Sequence, residues 1–177
     1  MLKNKTKLTN PLRTFSLCVV LLLHTGIIAQ QNAKVSLNLY ENPIKKTIAL
    51  IEKSENNIQA VVYKFEVHKM LDALIKAHER GIKIQLIVDA KEAKKKKSLV
   101  KLAKENGIKI RKWKQGKMHA KFIIIDEKAV ISGSFNWTKS AKKENLELIV
   151  FYDDKTSVDG FVLLFNRVWK IANKKEK

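Results

Sequence analysis

The sequence predicts an α/β domain, a mixed, largely parallel β-sheet sandwiched between helices. Three observations lead there. Past residue 30 the apolar pattern switches repeatedly between a period of two and a period near 3.6, as a strand–helix–strand–helix chain does. Gly81 and Gly107 stand just past two helical patterns, where helices stop. The chain has 177 residues and no internal repeat, which suits one domain with one continuous framework.

The elements follow in order. "KVSLNLY", Lys34 to Tyr40, alternates apolar and polar and predicts a strand. Asn42-Pro43 is a helix cap followed by proline at the first helical position, opening a helix through Ile44, Ile48 and Ile51. "NIQAVVY", Asn57 to Tyr63, is a β-branched strand. Val67, Met70, Leu71, Leu74, Ile75 and His78 then recur at helical spacing up to Gly81. "IKIQLIV", Ile82 to Val88, is a strand ending at Asp89. A helix over Ser98 to Asn106 stops at Gly107, and "IKIRKW", Ile108 to Trp113, is the next strand. After a hairpin-like stretch come a strand, "LELIVFY" (Leu146 to Tyr152), and a last helix. Phe161, Leu164, Phe165, Val168 and Trp169 form that helix's buried stripe, and its aromatics are expected in the core rather than as a base-stacking platform.

The N-terminus is set apart. Residues 1–29 place Lys3, Lys5, Lys7 and Arg13 before an apolar run from Phe15 to Leu23, which His24, Thr25 and Gly26 interrupt. That is the layout of a secretory signal with Ala29 before the cut, leaving a domain over residues 30–177. A retained membrane anchor is the alternative, for which the unbroken run is short. A cleaved signal implies a secreted or periplasmic protein. The single cysteine, Cys18, lies in this segment, so the remainder can build neither a disulfide framework nor a cysteine-based zinc site.

Lys and Arg number 36 against 17 Asp and Glu, a net charge of +19. Residues 1–29 hold four basic and no acidic residues, so without them the charge falls only to +15. A surplus of that size favours polyanionic partners, either nucleic acid or an anionic membrane surface. The run "KEAKKKK" directly follows the strand that ends at Asp89, where loops of open α/β sheets edge their binding crevice. Lys94, Lys95, Lys96 and Lys97 are therefore candidates for a phosphate-tracking lip, against a solvated helix start as the plain alternative.

The densest chemistry lies in "KMHAKFIIIDEKAVISGSFNWTKS", Lys117 to Ser140. A two-residue turn at Glu127-Lys128 would set His119 opposite Asn136 and Lys121 opposite Ser134 on one face of a hairpin. A one-residue change of register would break that grouping. Ammonium, carboxamide and hydroxyl donors suit the oxygens of a phosphodiester, and an imidazole can serve as nucleophile or as general acid or base. One histidine beside a lysine, without a local carboxylate cluster, is a poor hydrolytic metal site. A serine nucleophile lacks its Gly-x-Ser-x-Gly elbow. A lone histidine at a strand edge, without catalytic role, is what such a residue ordinarily is.

"HAKFIIID" is H-x-K-x4-D, and together with "GSFNWT" it resembles the phospholipase D superfamily. The segments "ALIEKSENNIQAVVYKF", "ALIKAHERGIKIQLIVD", "LAKENGIKIRKW" and "NLELIVF" resemble that family in the same order, over nearly all of residues 30–177. The resemblance implies a metal-independent phosphodiesterase without cofactor. His119 would attack phosphorus and form a phosphohistidine, while Lys121, Ser134 and Asn136 hold the phosphate oxygens. The family's N-x-E pattern falls on Asn145-Leu146-Glu147, so Glu147 would orient His119, with Glu144 as the nearby alternative. Asp126 and Gly133 would be structural members of the motifs. The family's reaction uses two histidines, and His24, His68 and His78 lack the motif, so the resemblance implies a homodimer that pairs two copies of His119. With the basic surplus and the lysine run, this predicts a non-specific endonuclease acting on DNA or RNA, with a cardiolipin-type phospholipid phosphodiesterase and a non-catalytic nucleic-acid-binding module as the alternatives.

Overall fold

Asn42 and Pro43 start the first helix as the sequence predicts, with the Asn42 side chain accepting from Lys45 N at 3.1 Å. The computed structural model describes residues 33–172. The expected signal, residues 1–29, lies outside them. Among the described residues no helix is long and apolar enough to cross a membrane.

The elements run β1 (Ala33–Leu37), α1 (Pro43–Glu52), β2 (Asn57–Val62), α2 (His68–Glu79) and β3 (Lys83–Asp89). A 3-10 turn (Glu92–Lys94) leads to α3 (Val100–Glu105), β4 (Lys109–Trp113), β5 (Phe122–Ile125) and β6 (Ala129–Gly133). The chain closes with α4 (Lys139–Lys143), β7 (Leu148–Tyr152) and α5 (Lys155–Ile171). The strands make one sheet in the order β1-β7-β6-β5-β2-β3-β4. It is mixed and lies between helices, as predicted. The parallel share is smaller than the alternation suggested: β2, β3 and β4 run parallel, and the other neighbouring pairs are antiparallel. The βαβ rhythm covers only those three of the seven strands, because after β4 the chain returns as a hairpin rather than through another crossover helix.

Period-two alternation divides every strand but β1 between two cores. Ile58, Ala60, Val62, Leu86, Val88 and Ile123 face α1, α2 and α3 through Ile51, Met70, Leu74 and Ala103. Val61, Ile87, Phe122, Ile124 and Val130 face α5 through Val158, Phe165 and Trp169. Each such fully buried aliphatic side chain contributes about 1.5–3 kcal/mol of transfer free energy. The aromatics of α5 are core, as expected, but Leu164 is not part of the buried stripe and stands largely exposed. β1 also ends sooner than "KVSLNLY" suggested, because the chain turns at Asn38–Tyr40.

The hairpin register differs from the expected one. Ile125 pairs with Ala129 and Phe122 with Ser132, leaving three residues, Asp126 to Lys128, in the turn. Asp126 and Glu127 both adopt φ 54°, and Lys128 N donates to Ile125 O at 2.9 Å. The physical cause is distant in sequence. The Asp126 carboxylate accepts from the backbone N–H groups of Glu55 (2.9 Å), Asn56 (2.7 Å) and Asn57 (2.9 Å), which ties the turn to the entry of β2. The cross-strand pairs His119–Asn136 and Lys121–Ser134 therefore do not form. All four residues lie beyond the ends of the β5–β6 ladder.

Candidate active site

Strand direction gathers the motif residues where cross-strand pairing does not. Val61, near the exit of β2, pairs with Phe122 at the start of β5, so His119 and Lys121 sit beside Tyr63 and Lys64. Phe122 pairs with Ser132 and Gly133 with Ile149, which brings Ser134 and Glu147 to the same rim. β3 ends alongside at Asp89, parallel to β2. The site is thus built from strand ends and loops on one edge of the sheet, where open α/β sheets place their ligands.

The His119 imidazole is exposed and packs edge-on against the Tyr63 ring, with centroids 4.7 Å apart and an interplanar angle of 65°. Among the described residues it has no side-chain hydrogen-bond partner. Lys117, Lys121 and Lys64 place their Nζ atoms 5.2, 5.5 and 5.8 Å from the centre of the same Tyr63 ring. The Lys121 charge, then partial burial, then Lys117 and Lys64 push the His119 pKa below the ordinary histidine value. Lys121 is itself buried and donates to His119 O at 2.6 Å. Burial lowers the Lys121 pKa; Glu147 opposes this, and Lys117 and Lys64 add to it. The result is an imidazole biased to its neutral, nucleophilic form inside a ring of positive charge.

Glu147 is buried at the entry to β7. Its carboxylate accepts from the Ser134 hydroxyl and from Asn145 Nδ2 at 2.9 Å. Asn38 bridges the same corner: its Oδ1 accepts from Glu147 N at 3.1 Å, and its Nδ2 donates to Asn145 O at 2.7 Å. Glu147 makes no hydrogen bond to His119 within the chain. Asn136 lies between buried Phe135 and Trp137, and its carboxamide oxygen is buried with no hydrogen-bond partner among the described residues. Gly133 adopts φ 149°, and a Cβ there would meet Leu148 O at 2.0 Å, so β6 and β7 approach too closely for any other residue. Burial tends to raise the Asp126 pKa, but the three backbone donors and Lys128 more than offset it and leave it lowered.

The lysine run is exposed on the same rim. Lys95 donates to buried Glu92 at 2.6 Å, which raises the Lys95 pKa. Lys97 lines a cavity of about 450 Å³ with Glu66, His68, Lys139, Ser140 and Glu144. Lys94 and Lys96 are exposed at either side of Lys95. His68 and His78 both stand exposed on α2, at its two ends. Sequence reasoning missed four contributors: Tyr63, Lys64, Lys117 and Asp89. Asp89 Oδ2 accepts from Met118 N at 3.0 Å, one residue before His119, while its Oδ1 accepts from Lys91 N and Glu92 N. Its position at a strand end before the lysine run was the available signal.

A model of the family described as "Cardiolipin synthase, PLD-like domain" matches residues 47–169, a span that contains every motif residue named above. The chain belongs to the phospholipase D superfamily. Among its superfamily relatives is the mitochondrial cardiolipin hydrolase of Canis lupus familiaris, 28% identical over 79% of this chain and 56% of that protein. The phospholipase D of Rickettsia prowazekii (strain Madrid E) is 34% identical over 67% of this chain and 58% of that protein. The chain thus spans little more than half the length of these relatives. The solved phospholipase D family member Nuc from Salmonella typhimurium shares the fold, with TM-score 0.71 and 23% identity over 80% of this chain and 95% of that one. NucT from Helicobacter pylori does so with TM-score 0.73 and 23% identity over 80% and 97% of the two chains.

Proposed function

We propose that the protein is a metal-independent endonuclease that hydrolyses DNA or RNA through a phosphohistidine. The observation that carries this reading is the exposed His119 imidazole ringed by Lys64, Lys117 and Lys121 around Tyr63. Such a cluster lowers the energy of a phosphodiester's negative charge and of the extra charge that develops when it is attacked. The +19 charge and the exposed lysine run favour a long polyanion over a single anionic group.

In the reaction, a neutral His119 ring nitrogen donates its lone pair to phosphorus, forming an N–P bond as the bond to the leaving oxygen breaks. A proton goes to the leaving oxygen from an imidazolium, which His119 of a second copy supplies across a two-fold axis. The same imidazole, now neutral, takes a proton from water as the water oxygen attacks phosphorus and the N–P bond breaks. Both histidines return to their starting states. Lys121, Ser134 and Asn136 are the groups proposed to hold the phosphate oxygens, and Glu147 the acid that acts on a histidine. Lys94, Lys95, Lys96 and Lys97 extend the phosphate path. A cleaved signal over residues 1–29 would deliver the domain to a secreted or periplasmic location.

The test is incubation of purified protein with DNA and RNA in excess chelator. Cleavage by the wild type and its loss, by about a thousandfold or more, in His119→Ala is the expected outcome. No cleavage by the wild type, or full cleavage by His119→Ala, overturns the reading. Salt-sensitive binding without turnover would point instead to a non-catalytic nucleic-acid-binding module. A second reading, a phospholipid phosphodiesterase at an anionic bilayer, is favoured by exposed Leu39, Tyr40, Leu146 and Leu148 beside the Glu147 corner. Release of headgroup or phosphatidic acid from cardiolipin vesicles, without nucleic acid cleavage, would establish it.

A further inference from the structure

Tyr63 leaves the end of β2 with its phenol tied down. Its Oη donates to Glu92 Oε1 at 3.1 Å, and the same oxygen accepts from Lys95 Nζ at 2.6 Å. Glu92 is buried, and its backbone N–H donates to Asp89 Oδ1 at 2.9 Å. The other Asp89 oxygen holds Met118 N at 3.0 Å. These bonds close a loop. Asp89 fixes both the turn that carries Glu92 and the chain that carries His119, and Glu92 fixes the ring against which His119 rests. Among the described residues the imidazole has no hydrogen bond of its own, so the 4.7 Å edge-on contact with Tyr63 is the ring contact that defines its angle.

The Tyr63 ring also explains how three ammonium groups tolerate one another. Lys64, Lys117 and Lys121 come from the exit of β2 and from either side of His119, and all stand within 6 Å of the ring centre. The negative face of an aromatic ring attracts each cation and offsets part of their mutual repulsion. An aliphatic side chain of similar volume offers no such attraction.

From this geometry we infer that Tyr63, anchored by Glu92, is the positioning residue that orients His119 and gathers its three lysines around the reacting phosphate. The inference rests on the phosphodiesterase reading for its catalytic consequence, but not for its structural content. Lys95 enters as a third partner of the anchor, which links the lysine run to the nucleophile through a single carboxylate.

The experiment compares wild type with Tyr63→Phe, Tyr63→Met and Tyr63→Leu by two measurements. One is the His119 imidazole titration followed by NMR, which needs no substrate; the other is chelator-resistant phosphodiester cleavage. Tyr63→Phe keeps the ring but loses its bond to Glu92, so kcat/KM is expected to fall about threefold to fivefold, less than without the ring, and His119 to titrate between wild type and the ring-less variants; behaviour identical to wild type would remove Glu92 as the anchor. Tyr63→Leu and Tyr63→Met lose the ring, and kcat/KM is expected to fall about tenfold or more as His119 loses its angle. In both, His119 titrates at higher pH than in wild type, because the lysines disperse and water returns. Tyr63→Met, unbranched and adaptable, carries the test if circular dichroism shows that Tyr63→Leu does not fold. Wild-type turnover and an unmoved His119 titration in the folded aliphatic variant would overturn the inference. A wild type that cleaves neither nucleic acid nor phospholipid removes the phosphodiesterase reading, while the NMR titration still decides the role of Tyr63.

Discussion

The Ser134 hydroxyl donates its proton to Glu147, and its oxygen accepts from Leu148 N at 3.0 Å. Both capacities of that hydroxyl are therefore engaged within the chain. A phosphate oxygen can take the Ser134 proton only in competition with a buried carboxylate.

This coupling makes a prediction about additivity. Ser134→Ala is expected to lower kcat/KM about tenfold, and Ser134→Ala/Glu147→Gln is expected to be no worse than Glu147→Gln alone. Steady-state cleavage assays on the two single variants and the double variant close the cycle. Full additivity would show that Ser134 acts on the phosphate independently of Glu147.

The pH profile follows from the charge around His119. Lys121, burial, Lys117 and Lys64 all lower its pKa, so the neutral nucleophile persists to lower pH than for a free histidine. The acid limb of kcat/KM is expected below the ordinary histidine value. Lys117→Ala removes one of the lowering charges and is expected to move that limb toward higher pH. An acid limb that stays in place in this variant would separate the observed titration from His119.

Asp126 offers a stability test with a defined sign. Its folded pKa is lowered, so its contribution is present above the unfolded value and is lost as pH falls through the folded one. Asp126→Ala is expected to cost about 1–2 kcal/mol at neutral pH, allowing for partial solvent exposure of the three bonds it removes. In denaturant titrations the variant should also lose less stability than wild type on acidification. Equal acid sensitivity of the two proteins would contradict this.

Gly133→Ala tests the closeness of β6 and β7. The new Cβ would meet backbone, Leu148 O at 2.0 Å, and no flexible side chain can yield. A loss of about 3 kcal/mol or more is expected in urea unfolding, with turnover falling as Ser134 and Glu147 separate. A loss under about 1 kcal/mol would mean that the strands part easily.

Local signals in the sequence carried most of the framework. Asn42-Pro43 caps α1 as read, Gly81 follows α2 with φ 89°, and the apolar periods place both cores. What escaped depends on distant partners. The length of the β5–β6 turn follows from Asp126 binding residues 55–57, some seventy positions away, and no local pattern encodes that. Tyr63 is remote in sequence from His119 and meets it only because β2 and β5 lie antiparallel in one register. α4 is five residues long, too short for a readable period, although Thr138 caps it by accepting from Ala141 N at 3.3 Å. His119, Lys121 and Ser134 stood out because the two motifs that carry them are close in sequence, whereas Glu147 entered only through the resemblance to the family's N-x-E pattern.

The rim location of the site divides the molecule into two independently variable parts. Side chains that hold the sheet together point to its faces, while the motif side chains His119, Lys121 and Ser134 hang from its ends. Substitutions at exposed positions of the loops after β3 and before β7, such as Lys94, Lys96 and Leu146, can therefore change what His119 encounters and leave both cores as they are. The same two cores are thus compatible with more than one surface at the rim.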